Sequence, residues 1–407
     1  MIILLLLAVF RFFAALPIPG IDSAALKHIF ETNNLLGFLN IFSGGALSNL
    51  SIVMLGLGPY ITSTIIMQLL TMIFPRLKAM YYEEGNAGRS KFNRFSRYIT
   101  VPLAALQGYG FLKLLASQGV FGSVPLTAWA MAINVITITA GAMILLWIGE
   151  LITEQKFGNG VSIIIFAGIV SRLPAIIRNA YLTYTQAFLT TYIGYAILAI
   201  IVIAMVVIVN EAERKVPISY AKRIRGNKVY GGASSYLPLR INQAGVIPII
   251  FAISILLFPQ FFGHIVSAFS TSWGAAINAW VTNNISNNHL VYGSLYFILV
   301  FVFTYFYIAV TFDPNEISKN LQRSGGFIAG IRPGESTAHF LKAIISRITL
   351  FGATFLGVIA VLPIVVSSLT NSQVLTLGGT ALLIVVSVAL ETAKQIDSQL
   401  AVREYEQ

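Results

Sequence analysis

Residues 44–74 read GGALSNLSIVMLGLGPYITSTIIMQLLTMIF. They contain two apolar segments of different length, one directly after the other. The second segment, Gly58–Phe74, approaches the ~20 residues with which an α-helix crosses a bilayer. The first, residues 44–57, is compatible with a helix but too short to cross. Pro59 suits the first turn of a helix and so marks the boundary between them. The stretch therefore predicts a half-helix that leads into a full membrane span.

The half-helix has two interpretations. Broken backbone at membrane depth is tolerated only where it is buried in protein or lines a water-filled cavity. The segment is therefore either a re-entrant loop at the surface or a stopper inside a cavity, and the pattern favours neither. We expect it to pack loosely and to be displaceable, because it contains the small and polar residues Gly44, Gly45, Ser48, Asn49 and Ser51.

The rest of the chain repeats the apolar pattern. Of its 407 residues, 57% are hydrophobic and 10% are charged, and the mean hydropathy is +0.80. A soluble domain carries roughly a quarter charged residues. Continuous apolar runs predict an all-α polytopic membrane protein with ten transmembrane helices. The runs are Met1–Ile18, Gly58–Phe74, Tyr98–Leu115, Leu126–Leu151, Val161–Ile177, Phe188–Val209, Ala244–Phe262, Val291–Phe312, Ile348–Val366 and Val374–Leu390.

Basic residues set the predicted orientation. Of the 26 Lys and Arg residues, 21 fall on one side of the ten-helix arrangement, chiefly in loops 75–97, 210–243 and 313–347. Residues 263–290, on the opposite side, contain no Lys, Arg, Asp or Glu. Because Lys and Arg stay on the cytoplasmic side of a membrane, these loops and both termini are predicted to be cytoplasmic.

The helix number also indicates internal symmetry. Five predicted helices lie in residues 1–180 and five in residues 181–407. Because five is odd, the two halves would have inverted topology, an arrangement that places a pathway at the interface between repeats.

Loops 210–243 and 313–347 are long, basic and rich in turns. Residues Val216–Tyr220 and Tyr236–Arg240 flank a glycine-containing tip in the manner of a hairpin, and the second loop has a similar form around Gly330–Glu335. Basic projections suit an anionic partner such as RNA or an acidic protein surface. The alternative is that their charges only enforce topology. Their length and turn content favour docking.

The sequence offers little for catalysis. It has no cysteine, its four histidines are scattered, and no Asp or Glu lies near the middle of an apolar run. Intramembrane carboxylates mark proton and cation pathways, and no phosphate-binding loop, HExxH motif or nucleophile elbow is present. These absences argue against a membrane-embedded enzyme and against a secondary transporter for small solutes.

Short motifs follow one another along nearly the whole chain. They are Leu16–Asp22, Phe42–Ser48, Pro59-Tyr60, Gln68–Leu70, Trp147–Glu150, Gly158–Gly160, Ser162–Val170, Tyr220–Arg223, Leu237–Leu239, Ala244–Pro248, Gly330–Glu335 and Gly378–Thr380. In this order they resemble the SecY family, the channel subunits of the bacterial Sec protein translocase.

The resemblance implies a function and partners. A member of this family would be a protein-conducting channel in the bacterial cytoplasmic (inner) membrane, performing no chemistry and holding no cofactor. It would pass an unfolded preprotein with its signal sequence outward and release hydrophobic segments sideways into the lipid bilayer. The implied partners are the membrane subunits SecE and SecG, with the SecA ATPase or a translating ribosome supplying the driving force.

The resemblance also assigns residues. Two five-helix halves would enclose an hourglass pore, closed by the re-entrant half-helix as a plug and narrowed by an apolar ring that seals by dewetting. The implied plug residues are Gly44, Gly45, Ala46, Leu47, Ser48 and Asn49. The implied ring residues are Leu57, Ile61, Val161, Ile165, Ile250 and Ile384. The basic residues assigned to partner docking are Arg214, Lys215, Lys222, Arg223, Arg225 and Arg332.

Overall fold

The computed structural model describes residues 2–18, 43, 45–117, 120–121, 127–156, 158–182, 186, 189–220, 223–225, 228–230, 234–286, 288–370 and 379–406. Helices dominate this part of the chain. They are α1 (Ile2–Ala15), α2 (Gly58–Ile73), α3 (Pro75–Tyr82), α4 (Gly85–Ser117), α5 (Ala128–Glu154), α6 (Gly160–Val170), α7 (Leu173–Leu182), α8 (Leu189–Glu211), α9 (Ile247–Phe269), α10 (Thr271–Val281), α11 (His289–Thr311), α12 (Pro314–Arg323), α13 (Glu335–Thr370) and α14 (Gly379–Glu406).

Each of the ten predicted apolar runs overlaps helical residues, in the predicted order. Val161–Ile177 is divided between α6 and α7, and Val374–Leu390 is described only from Gly379 onward. Among the described residues, five helical stretches are long and apolar enough to cross a membrane: α4, α5, α8, α11 together with α12, and α13. A sixth is added if α2 and α3 count as one span, although they are bent by 116°. Shorter apolar helices are α1, α6 and the first part of α9. The prediction of an all-α polytopic membrane protein is confirmed.

Two long helices begin well before their apolar runs. The apolar runs predict helices from residues 98 and 348, whereas α4 starts at Gly85 and α13 at Glu335. The extra turns carry charged residues, so hydropathy marks only the apolar part of each helix. Hydropathy also missed α10 and the π-helical turn Thr282–Ser286 that follows it.

A proline explains the bend between α2 and α3. Phe74 has extended backbone angles (φ −106°, ψ 109°) and Pro75 opens the next helix. Because a residue before proline is disfavoured in the helical region, α2 ends there and the chain turns.

The helices enclose several apolar clusters. In the second part of the chain, α9, α11 and α13 pack together around Phe251, Val300 and Leu356, all of which are buried. A second cluster joins α1, α5 and α6 to α14. Among the described residues, the predicted halves 1–180 and 181–407 meet where α6 contacts α14 and where α2 and α4 contact α9. Their boundary and inverted symmetry stay predictions.

The two long basic loops share one β-sheet. Its strands are β1 (Glu213–Tyr220), β4 (Ser234–Arg240) and β5 (Gly326–Phe327), in the order β4-β1-β5, while β2 (Arg223–Arg225) pairs with β3 (Lys228–Tyr230). The antiparallel β1–β4 pairing, with Val216 opposite Leu237, confirms the predicted hairpin. The pairing of β5 with β1, which places Ser219 opposite Phe327, was not predicted. We call the side of the molecule that carries this sheet the basic face.

Polar contacts tie the helices together near the basic face. Arg97 Nε of α4 lies 2.7 Å from Glu150 Oε1 of α5. Lys394 Nζ of α14 lies 2.8 Å from Glu211 Oε1 of α8. Both pairs are partly exposed, so each fixes helix register more than it stabilises the fold.

Candidate functional site

The segment predicted as a half-helix is a loop of successive turns. In residues 45–57 no α-helical turn is formed; several amides bond three residues back, as Leu50 N does to Leu47 O at 3.0 Å and Met54 N to Ser51 O at 2.9 Å. Positive φ angles at Gly45 (85°), Leu50 (39°) and Gly56 (57°) interrupt the helical path. The half-helix prediction is therefore wrong in secondary structure. We refer to this segment as the 43–57 loop.

The ends of the 43–57 loop meet. A Cβ placed on Gly56 would lie 3.5 Å from the Ser43 α-carbon. The Ser43 hydroxyl also accepts a hydrogen bond from the Leu47 amide at 3.1 Å. The segment is thus a compact loop packed by its own side chains, with its entry and exit side by side.

Packing of the 43–57 loop is tight, which corrects the expectation of loose packing. Its side chains Ala46, Leu47, Leu50 and Val53 expose 2% of their surface or less. Ser48 Oγ donates a local hydrogen bond to Gly45 O at 2.9 Å, and Asn49 Nδ2 donates to Ala14 O of α1 at 3.5 Å. Gly44 lies outside the described residues. The sequence shows that these loop positions are apolar, but it does not show that their side chains pack into the buried clusters of the helices.

A short backbone bridge fastens the 43–57 loop to the chain after α1. The amide of Ile18 donates to Leu50 O at 2.9 Å, and the amide of Ile52 donates to Leu16 O at 3.0 Å. Pro17 lies opposite Ser51 between these two bonds. Because proline has no N–H to donate, this unbonded position is one that it can occupy.

Six aliphatic side chains form what we call the aliphatic ring. Five of them lie on four helices and the sixth, Leu57, is the last residue of the 43–57 loop; all six belong to one apolar cluster, which also contains Ala46 and Val53 of that loop. Three of the six expose 5% of their surface or less and three are partly buried. They are Leu57 just before α2, Ile61 on α2, Val161 and Ile165 on α6, Ile250 on α9 and Ile384 on α14. All six implied ring residues are therefore brought together.

A small cavity of ≈ 90 Å³ lies between the ring and the 43–57 loop. Leu57, Ile61, Ile165 and Ile250 of the ring contribute to its wall. Its polar lining residues are Ser43, Thr62, Gln107 and Ser254. Gln107, whose Nε2 lies 3.5 Å from Thr62 Oγ1, was not predicted as a site residue, although it is a polar residue within the apolar run Tyr98–Leu115.

Arg332 is held on an ordered turn at the basic face. Its side chain is exposed, and its carbonyl accepts a hydrogen bond from Thr337 Oγ1 at 2.9 Å. Gly330 (φ 83°) and Gly334 (φ 100°) bracket the turn. The Gly334 carbonyl accepts from Ser318 Oγ at 2.5 Å, which ties the turn to α12. The guanidinium is thus presented from a fixed backbone.

The other assigned basic residues are divided between β1 and the hairpin tip. Arg214 and Lys215 are exposed on β1, where Lys215 Nζ lies 3.6 Å from Glu213 Oε1. Arg223 and Arg225 form part of β2, of which only the backbone is described, and Lys222 lies outside the described residues. Their role in docking stays a prediction.

Comparison with known proteins decides the family. A model of the SecY family matches residues 51–393. The chain belongs to the SecY family. The protein translocase subunit SecY of Mycobacterium tuberculosis (strain ATCC 25618 / H37Rv) is 41% identical over 417 residues, covering 98% of this chain and 93% of that protein. The protein translocase subunit SecY of Streptomyces scabiei is 39% identical over 416 residues, with coverages of 98% and 94%.

Solved structures show the same fold. A structure described as that of a protein conducting channel has a TM-score of 0.65 and 21% identity, covering 97% of this chain and 90% of its own. A second, from work on the plug domain of the SecY protein, has a TM-score of 0.63 and 21% identity, with coverages of 96% and 89%. The SecY match includes every residue of the aliphatic ring, whereas Gly45–Leu50 of the 43–57 loop precede it.

Proposed function

We propose that this chain is the channel subunit of a protein translocase, passing unfolded secretory polypeptides across a membrane. Its membership of the SecY family supports this, as do relatives named protein translocase subunit SecY. The aliphatic ring is the constriction and the 43–57 loop is the plug. The single observation that carries the proposal is that aliphatic side chains from four helices converge with Leu57 beneath a closed, buried loop.

The chemistry of the ring suits a channel for chains of any sequence. Aliphatic side chains contact a passing polypeptide without forming hydrogen bonds to it, and a narrow apolar constriction impedes ions and water by dewetting. A cavity of ≈ 90 Å³ has room for a few water molecules only. These features support a resting channel that is closed to polypeptides, with opening driven from outside the chain.

Lateral release of hydrophobic segments needs a seam between helices. The contact of α2 and α4 with α9 supports such a seam, because these helices come from different halves of the chain. Thr62 of α2, Gln107 of α4 and Ser254 of α9 line the cavity beside it. We infer that hydrophobic segments leave toward lipid between α2 and α9.

The proposed location is the bacterial cytoplasmic (inner) membrane, with the basic face and both termini in the cytoplasm. The excess of Lys and Arg on that face supports this orientation. The SecA ATPase or a translating ribosome would dock there. SecE and SecG would bind the apolar surface within the membrane, where α8 exposes Ile193, Ile197 and Ile200 by about half or more.

Reconstitution tests the proposal. Vesicles containing the chain with SecE and SecG are supplied with SecA, ATP and a preprotein. We expect the preprotein to become protected from added protease only when ATP is present. If no preprotein is protected while an ion gradient drives uptake of a small solute, the chain is a secondary transporter and the proposal fails.

Polar substitution in the aliphatic ring is expected to open the resting channel to ions. Ile165→Asn or Ile250→Gly should raise the resting conductance severalfold in a planar bilayer, because a wetted constriction no longer excludes ions. Ile165→Val should have little effect, since the seal needs apolar bulk and not one shape.

The matched control for this prediction is Ile164→Asn. Ile164 is a neighbour on α6 and is buried in the same cluster, but it does not belong to the ring. We expect its substitution to affect stability and not resting conductance. Equal conductance in the Ile165→Asn and Ile165→Val variants would contradict the ring assignment.

A further inference from the structure

The backbone of the 43–57 loop touches α5 at a glycine. A Cβ added to Gly141 would lie 2.2 Å from the carbonyl oxygen of Ile52, 2.8 Å from its carbonyl carbon and 2.9 Å from its Cγ2. A carbonyl group cannot rotate aside as the end of a flexible side chain can. Any side chain at position 141 therefore has to push the loop backbone away from α5.

The same residue of the loop is held from its other side. The Ile52 amide donates to Leu16 O at 3.0 Å, in the bridge that places Pro17 opposite Ser51. Ile52 thus has its amide on the chain after α1 and its carbonyl against Gly141. Leu50, two residues earlier, keeps a positive φ of 39°, which an L-residue adopts only at an energetic cost. The seated loop is therefore held on both sides of Ile52 and strained two residues earlier.

We propose that Gly141 is a positioning residue that seats the plug: by lacking a side chain, it allows the closed loop to rest on α5. This inference rests on the proposed function, because it takes the 43–57 loop to be the plug. A methyl group at this position favours the displaced loop over the seated one. The displaced loop leaves the aliphatic ring as the remaining seal.

A second glycine provides a matched control. Gly108 on α4 is also buried next to the loop, but a Cβ there would lie 3.5 Å from Ile138 Cγ2 and 3.7 Å from Leu55 Cδ1. These are ordinary van der Waals distances. Gly108→Ala adds the same methyl group to a neighbouring transmembrane helix without displacing the loop.

The chain offers a direct reporter of the seated loop, because it contains no cysteine. Pro17 and Ser51 face each other at an unbonded antiparallel position, where α-carbons are about 4.5 Å apart. This distance falls within the range that a disulfide spans. In the Pro17→Cys/Ser51→Cys variant, oxidation should form this crosslink efficiently while the loop is seated.

The experiment combines the reporter with conductance, using the full chain in its reconstituted complex. Gly141→Ala should lower the crosslink yield severalfold and raise resting ion leakage severalfold, and Gly141→Val should do more of both. Gly108→Ala should leave both at the level of the unsubstituted chain. When residues 45–53 are deleted, Gly141→Ala should add no further leakage, because no loop remains to be unseated.

The outcomes distinguish failure of the proposed role of Gly141 from failure of the proposed channel function. Unchanged crosslinking and leakage in Gly141→Ala overturns the seat, and the proposed function still stands if the unsubstituted chain imports preprotein. Added leakage in the deletion background also overturns the seat, since it reports general damage to α5. The Gly141→Ala protein could also fail to accumulate because the displaced loop destabilises it. In that case our proposal requires that deletion of residues 45–53 restore its accumulation, and a deletion variant that still fails to accumulate overturns the proposal.

Discussion

Deletion of residues 45–53 is expected to yield a channel that leaks ions at rest and accepts preproteins with defective signal sequences. The deletion removes Leu47, Leu50 and Val53, which are almost completely buried, and burial of each such side chain is worth about 1.5–3 kcal/mol. In the intact protein this free energy has to be overcome before a polypeptide can pass. The variant no longer needs a strong signal sequence to overcome it.

The structure also predicts that the deletion variant folds. Because Ser43 lies against Gly56, the shortened chain can join the two ends of the loop without pulling on α2. Conductance in planar bilayers and export of a preprotein with a mutated signal sequence are the two measurements, and co-purification with SecE reports folding. If leakage and signal-sequence dependence are both unchanged, the 43–57 loop is not the plug.

Charge reversal of Arg332 is expected to abolish translocation while the protein remains inserted and bound to SecE. Removing one partner of a charge pair that docking buries costs about 2–5 kcal/mol, so loss of the guanidinium should weaken docking by about 30-fold to a few thousandfold. Arg332→Lys should impair translocation less. A lysine keeps the charge but cannot make the paired hydrogen bonds of a guanidinium. If the loop only enforced topology, the Arg332→Lys variant would translocate preprotein as well as the unsubstituted chain does.

Lys319→Glu is the matched control for Arg332→Glu. Lys319 is exposed on α12 of the same loop, so its reversal changes the net charge equally without altering the ordered turn. Binding of SecA or ribosomes to each variant is measured at two salt concentrations. Lys222, Arg223 and Arg225 should show weaker, additive losses, because neighbouring charges share that contact. Unchanged affinity in Arg332→Glu would refute the docking role.

The sequence predicted the helices well because hydropathy is a property of each run by itself. It could not predict the form of the 43–57 loop. Gly45 and Gly56 suggest turns, but the positive φ of Leu50 accompanies a bridge to the chain after α1, about thirty residues away. Gly141 shows the same limit: an isolated glycine in a helix hints at a close approach, but the sequence does not say that Ile52 is what approaches.

The aliphatic ring marks a different limit. Ile165 and Ile384 lie among many aliphatic residues in apolar helices, so composition and periodicity cannot distinguish them from ordinary packing residues. Only the resemblance to SecY singled them out, and the structure brings them into one cluster. The two-residue strand β5 was also beyond sequence reasoning, because its pairing depends on Tyr220 and Ser219, far away in the chain.

The shared sheet has a consequence for engineering. Strand β1 belongs to the first basic loop and β5 to the second, yet they pair directly, and Val216 and Ile328 pack in one core beneath them. A chimaera that grafts only one of these loops from a relative would leave an edge without its partner and a half-filled core. The two loops have to be exchanged together, because they form one structural unit from two separate segments of the chain.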